Sequence, residues 1–221
     1  MRLLLVRHGE SQGNVEFRLQ GRCEFPLTPR GIAQAQALAQ RLAPLRPSVV
    51  YTSPIRRALD TAAIIAAACR LEPIPDQRLQ EYNFGEALSG LTWQEIRQRA
   101  PDILAALASD APNFPPYPGE EGRDAFKARV SQALADILHQ HHDHESVVVV
   151  THAAPIIALV MTAAGREYER PIPFTIDNAS LTTLDFGGPG AGAAPHVIAG
   201  LNDTCHLRRC APPTLNERTD Q

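Results

Sequence analysis

Short apolar runs alternate along this chain with longer stretches in which apolar residues recur at helical spacing, the pattern of buried strands followed by amphipathic helices. Arg2–Val6 predicts a first buried strand, and His8, Gly9, Glu10, Ser11 and Gly13 mark a polar loop after it. Thr28 suits a helix N-cap with Pro29 at the first helical position, and Ile32, Ala35, Leu38, Ala39 and Leu42 form a stripe ending near Pro44. Ser48–Tyr51 predicts a second strand, and Ser53-Pro54 opens a helix running through Ala58, Ala62, Ile65 and Cys69. Residues 71–92 read as irregular, because Pro73, Pro75, Gly85 and Gly90 interrupt any period.

Short helices are expected at Trp93–Arg99 and Ile103–Ala108, followed by a proline-rich loop, Ala111–Gly122, long enough to suggest a functional role. Arg123–His139 reads as a helix with Phe126, Val130, Leu134, Ile137 and Leu138 on one face. The β-branched run Val147–Val150 predicts a strand leading into a helix after Pro155, and Ser180–Asp185 and His196–Leu201 predict later strands separated by a Gly/Ala/Pro turn. Such alternation makes an α/β fold with a mostly parallel sheet, in which ligands sit at the carboxyl ends of the strands.

Composition narrows the picture further. A chain of 221 residues, 44% hydrophobic and 20% charged, can bury a core as one domain without cross-links, which excludes disordered, collagenous and disulfide-scaffold classes. The formal charge of −3 gives no bulk attraction to nucleic acid or to an anionic membrane, so any anion site must be local. Cys23, Cys69, Cys205 and Cys210 lack metal-site spacing and are expected to be reduced thiols of a cytoplasmic protein. Leu3–Val6 is too short for the core of a secretory signal. Val147–Gly165 carries no formal charge, yet its strand-like start and its His152 and Pro155 argue against a membrane span.

The chemistry concentrates where strands are expected to end. In Leu5-Val6-Arg7-His8-Gly9-Glu10-Ser11 the Arg-His pair follows a strand and precedes a glycine that would let backbone approach a ligand closely. Tyr51-Thr52-Ser53-Pro54-Ile55-Arg56-Arg57-Ala58 places arginines at a helix start after the second strand, and Val150-Thr151-His152 delivers another histidine. A single histidine is usually structural; strand ends delivering Arg, His, Arg and His together suit an anion site.

These segments resemble the histidine phosphatase superfamily, in its phosphoglycerate-mutase-like branch. The resemblance runs along nearly the whole chain: Arg7-His8-Gly9-Glu10, Gly21-Arg22 leading to Pro26-Leu27-Thr28 and Gly31, Ser53 to Arg57-Ala58 with Thr61-Ala62, Leu79 with Glu81 and Phe84-Gly85, and Thr151-His152. Leu201-Asn202-Asp203-Thr204 is similar to the ending of phosphatase members. The resemblance implies a three-layer sandwich with a small cap inserted at about 85–122, and a phosphomonoesterase rather than a bisphosphoglycerate-dependent mutase. His8 is then the nucleophile that forms a phosphohistidine, with Arg7, Arg57 and His152 around the phosphoryl oxygens. Glu81 is the acid that protonates the leaving group and the base that activates water. Beside arginines its carboxyl is expected to be ionised until a phosphate dianion cancels their charge. Asn14, Arg22 and Ser53 are further candidates for phosphate contacts, with turn and capping roles as the alternative, and Arg56 is left to the surface.

Two departures bear on substrate. Ala87-Leu88-Ser89-Gly90 and Gly119-Glu120-Glu121-Gly122 replace the family's Trp-Glu-Gly and Gly-Gly-Glu-Ser. The stretch 100–122 has no Lys, Arg or His, which disfavours a substrate with a second anionic group and therefore the mutase. His139, His141, His142 and His144 with Asp143 read as a solvated turn rather than a metal site, since no fixed ligand spacing sets a geometry. No metal or cofactor is expected, the partner is a small phosphorylated metabolite, the tail 205–221 is expected to fray, and oligomeric state stays open, a homodimer included.

Overall fold

The computed structural model describes residues 1–108, 118–141, 145–168, 172–187 and 197–209. In chain order these are β1 (Arg2–Arg7), α1 (Gln12–Val15), α2 (Pro29–Leu42), β2 (Val49–Thr52), α3 (Arg56–Cys69) and β3 (Pro73–Pro75). Three helices follow, α4 (Gly85–Leu88), α5 (Trp93–Arg99) and α6 (Pro101–Ala108). The chain continues with α7 (Arg123–Gln140), β4 (Ser146–Thr151), α8 (Ala153–Ala163), β5 (Leu181–Asp185) and β6 (Val197–Asp203). The strands form a mixed six-stranded sheet in the order β3-β2-β4-β1-β5-β6. β3, β2, β4 and β1 run parallel, whereas β5 and β6 pair antiparallel.

The two central strands are apolar at successive positions because both sheet faces are covered. Leu3, Leu5, Val147 and Val149 pack against Phe126, Val130 and Ile137 of α7 and Ile156 and Leu159 of α8. Leu4, Val6, Val148 and Val150 point the other way, into Leu38 and Leu42 of α2 and Ala58, Ala62 and Ile65 of α3. This period-two division yields the three layers.

Register determines what meets at the carboxyl edge. Val6 pairs with Val150 and Arg7 with Thr151, while Thr52 of β2 pairs with Val150 from the other side. The backbone pairing extends one step further, with His8 N–H donating to Thr151 O at 3.0 Å and Ser53 N–H to Val150 O at 2.9 Å. Three separated segments are thereby brought abreast at their last residues.

Some elements depart from the expected ones. The stretch 71–92 contains β3, an edge strand of two prolines and an isoleucine; prolines are tolerated there because one side of an edge needs no donors. α3 begins at Arg56 rather than at Pro54, and α8 begins at Ala153, leaving Pro155 within the first turn where its missing N–H is not needed. In α2 the buried face carries Gln34 while Ile32 is exposed, because Gln34 Oε1 accepts the Glu10 N–H at 2.8 Å. Gly9 is bare for packing rather than for a ligand: a Cβ there would lie 2.4 Å from Gly31 O, so α2 docks directly on the loop after β1.

The helices α4 and α5 gather around Leu88 and Ile96, with Leu19, Phe84, Leu91 and Ile103 against them. This cluster rests on the 18–21 loop through Leu19 N–H to Leu91 O and Gly90 N–H to Leu19 O, both 2.8 Å. Much of the proline-rich loop, residues 109–117, lies outside the described residues, as do the Gly/Ala/Pro turn at 188–196 and the tail from 210 onward. The Val147–Gly165 stretch is split between β4 and α8, and no helix among the described residues is long and apolar enough to cross a membrane.

Candidate active site

The ring of His8 is 2% exposed and held at both nitrogens. Nδ1 lies 2.7 Å from Gly9 O, which can only accept, so the proton sits on Nδ1 and Nε2 carries the lone pair. Arg57 Nε–H donates to that Nε2 at 3.1 Å. Burial, with the charges of Arg57 and Arg7, holds the imidazole pKa well below the usual histidine value, so the ring is neutral and nucleophilic at pH 7.

Arg57 is 1% exposed, and its guanidinium also donates to Cys23 O at 2.8 Å and Gly21 O at 2.7 Å. Burial lowers its pKa to about 10, which still leaves it charged at neutral pH. Thr61, one turn along α3, bonds Arg57 O at 2.7 Å and accepts the Gly9 N–H at 3.1 Å, tying the arginine's helix to the nucleophile's loop. Arg57→Lys would leave both carbonyls short of a donor, since an ammonium lacks the planar fork. We expect a loss of about 2 kcal/mol, seen as a melting temperature lower by roughly 5 °C, together with weakened phosphate binding. A melt unchanged from wild type would refute this role.

His152 follows β4 and is fully buried, its ring centroid 5.2 Å from that of His8. Its Nε2 is 2.8 Å from Ser53 Oγ, which itself accepts the Ile55 N–H at 3.3 Å. The Ser53 hydroxyl has one hydrogen and a second lone pair to offer, so this bond pairs it with Nε2 whichever nitrogen of His152 carries the proton. Ser53, expected among the phosphate contacts, is bonded to His152 and so orients that ring.

Arg7 binds Ile176 O through one terminal nitrogen. Its Nε and His152 Nδ1 are buried with no partner among the described residues. Arg7 Nε, a donor in that condition and part of a charge close enough to be felt at His8, suits a bound anion. Asn14 lies on the α1 turn, where its Oδ1 accepts from Ser11 N at 3.0 Å and from Asn178 Nδ2 at 3.2 Å. The oxygen is thus used in capping, and Nδ2 is the atom left to donate. Asn178 also donates to His8 O at 3.2 Å, a contact that nothing in the local sequence signals. Arg22 bonds Glu121 at 2.6 Å, so it is drawn toward the 118–122 segment, although its Nε is also buried without a partner among the described residues. Arg56 is exposed and pairs with Asp60, as expected for a surface residue.

Glu81 Oε1 accepts the Tyr82 N–H at 2.9 Å, and the start of α8 at Ala154 also favours the charged carboxylate. Burial raises its pKa, while those backbone groups and the charges of Arg57 and Arg7 pull it down. Burial is the largest of these influences, so the carboxyl pKa stands above its ordinary value before any ligand arrives, where the arginines alone would have lowered it. Of the expected histidine cluster, His141 is structural, bonding Tyr51 Oη at 3.1 Å and Glu145 at 2.8 Å, and His142 to His144 lie outside the described residues.

Residues 3–194 match the profile of the histidine phosphatase superfamily (branch 1). This chain belongs to that superfamily. Within it, the chain is 33% identical over 207 residues to phosphoserine phosphatase 1 of Hydrogenobacter thermophilus, covering 94% of each protein. It is 37% identical over 163 residues to a metal-independent phosphoserine phosphatase of Arabidopsis thaliana, covering 72% of this chain and 67% of that protein. The solved structure of Bacillus stearothermophilus YhfR superposes with a TM-score of 0.83 at 30% identity, covering 93% of this chain and 98% of that one. In this superfamily member, Arg7, His8, Arg57 and His152 share one sheet edge with Glu81 beside them.

Proposed function

We propose that this histidine phosphatase superfamily member hydrolyses a small phosphomonoester through a phosphohistidine on His8, without a metal. The observation that carries the reading is the buried Nε2 of His8 set beside Arg57 and Arg7, whose Nε donor, like His152 Nδ1, has no protein partner among the described residues. A phosphoryl group seated there meets the nucleophile on one side and hydrogen-bond donors around its equatorial oxygens.

The hydrogen bond from Arg57 Nε–H that caps Nε2 passes to a phosphoryl oxygen, Nε2 attacks phosphorus, the N–P bond forms, and the bond to the leaving oxygen breaks as Glu81 gives that oxygen its proton. The Glu81 carboxylate then takes a proton from water; the resulting hydroxide attacks phosphorus, the N–P bond breaks and His8 is restored as inorganic phosphate forms. Charge stabilisation by Arg7 and Arg57 does the work that a metal ion does in other phosphatases. Turnover should accordingly persist in EDTA; loss on chelation with recovery on adding a divalent ion would overturn the metal-free mechanism.

Helices α4 to α6 and the 118–122 segment serve as the cap over the leaving group in this reading. Both carboxylate oxygens of its Glu121 are already bonded to arginines, so the segment is less acidic toward substrate than its composition implies. The two named relatives make L-phosphoserine the first substrate to try. Phosphorus NMR of the purified protein with L-phosphoserine, a panel of other phosphomonoesters, and 3-phosphoglycerate with and without a bisphosphoglycerate primer decides the reaction type. Free phosphate from a monoester, lost in His8→Ala, is the expected result; 2-phosphoglycerate growing without free phosphate would make the protein a mutase.

A further inference from the structure

Glu81 lies in a segment without regular hydrogen bonding, between the turn at Gln77–Leu79 and α4, yet a general acid must be held to within a fraction of an ångström. Three carbonyls around Glu81 are bonded by one side chain. Arg129, on α7, donates through one terminal nitrogen to Arg78 O and Gln80 O, both at 2.7 Å, and through the other to Glu81 O at 2.9 Å. Its remaining bonds go to Glu121, from Nε at 3.0 Å and from the second terminal nitrogen at 2.7 Å. Glu121 in turn accepts the Asn83 N–H at 3.0 Å, and its own N–H donates to Asn83 O at 3.2 Å. The backbone is thus gripped immediately before, at and just after Glu81.

The fork is itself immobilised. Arg129 stacks over Phe126 with its guanidinium carbon 4.9 Å from the ring centroid, and the side chains of Arg129 and Glu121 are only 16% and 11% exposed. Glu121 also holds Arg22, whose neighbours Gly21 and Cys23 supply the carbonyls that orient Arg57. Gly85 and Gly119 pack so closely that a Cβ on Gly85 would lie 2.6 Å from the Gly119 carbonyl carbon, which fixes the 118–122 segment against the acid's own loop.

We infer that Arg129 and Glu121 are a positioning pair for the acid Glu81. The inference rests on the assignment of Glu81 as the general acid. Glu121, which by sequence belongs to the leaving-group pocket, acts on the acid's backbone instead. Arg129 holds three carbonyls of that backbone in a way no lysine reproduces, because an ammonium cannot address three carbonyls and a carboxylate in one plane.

The test is a double-mutant cycle read with two esters that differ in leaving group, L-phosphoserine and p-nitrophenyl phosphate. Glu121→Gln keeps the shape of the side chain, and Arg129→Lys keeps the charge. We expect each to lower kcat/KM about 10²-fold for the alkyl ester, the cost of misplacing a catalytic group by roughly 1 Å, and to leave the p-nitrophenyl ester within about threefold. On a Glu81→Gln background neither substitution should cost anything further. Losses that add to that of Glu81→Gln, or that fall equally on both esters, would overturn the inference. If Arg129→Lys does not fold, Glu121→Gln carries the cycle alone. Failure of the underlying reading is separable: Glu81→Gln would then itself affect both esters equally, whereas failure of the inference leaves Glu81→Gln selective for the alkyl ester.

Discussion

Replacing His8 with Ala is expected to lower turnover by about 10⁴-fold or more, the scale on which enzymes lose rate when a covalent nucleophile is removed. The expectation follows from the lone pair fixed on Nε2 by the Nδ1 contact to Gly9 O and presented beside Arg57. Brief mixing with phosphate-labelled substrate followed by an alkaline quench should trap label on the wild-type protein. A phosphorus–nitrogen bond survives alkali and is released by acid, whereas a phosphorylated carboxylate is not stable in alkali. Acid-labile label in wild type and none in His8→Ala is the expected pattern. Label that persists in His8→Ala, or a variant retaining a tenth of the activity, would place the nucleophile elsewhere.

The same environment sets a pH signature. Because the folded pKa of His8 is depressed, its nucleophilic form persists below the ordinary histidine range, so the acid limb of kcat/KM should lie below about pH 6.5. For stability the sign is opposite to that of a salt-bridged histidine. The unfolded chain takes up the proton first, so stability is full above the unfolded value and falls as pH drops from there toward the folded one. His152 is depressed for the same reasons and adds to the effect. Melting temperatures of His8→Gln should therefore decline less than those of wild type between pH 7 and pH 5.

Glu81→Gln is expected to reduce kcat/KM by roughly 10²- to 10⁴-fold for alkyl phosphates, the usual contribution of general acid catalysis, and far less for p-nitrophenyl phosphate. The nitrophenolate leaves without a proton, and kcat/KM does not include the later hydrolysis of the phosphoenzyme. Equal losses on both esters would remove Glu81 from the acid role. Since burial raises the carboxyl pKa in the free protein, the alkaline limb of kcat/KM should stand above the ordinary carboxylate range and disappear in the variant. A raised folded pKa also means that stability is full below the unfolded value and lost as pH rises through the folded one. Glu81→Gln should consequently melt higher than wild type at pH 7 and alike at pH 4, an activity residue held at the expense of stability.

Much of this site is legible before any coordinates. β1 and β4 are apolar runs ending in Arg7-His8 and Thr151-His152, and chain order alone places such ends on one sheet edge once the strands are parallel. Choosing Arg57 over Arg56 needed only the motif, and the structure buries Arg57 and exposes Arg56. Arg129 went unnoticed, although a signal was present: it falls three residues after Phe126 and one before Val130, on the core face of α7, where a charge has to find partners. β3 escaped because two prolines in a three-residue stretch read as a breaker, and only an edge position makes them harmless.

The sequence by itself determined the fold class, the strand ends and the residue types that can attack, cradle and protonate a phosphoryl group, since each of these depends on local periodicity or on a short motif. Only the tertiary structure decided how those groups are held and charged. Ser53 came to support His152 because β2 ends beside β4, and Gly9 yielded its open side to Gly31 of α2. Glu81 gained a raised pKa from burial that adjacent residues do not reveal, and Glu121 met an arginine on α7 and another beside Gly21. Desolvation and hydrogen bonding between distant segments depend on which surfaces are pressed together, and that information resides in the packing of the chain rather than in the order of its residues.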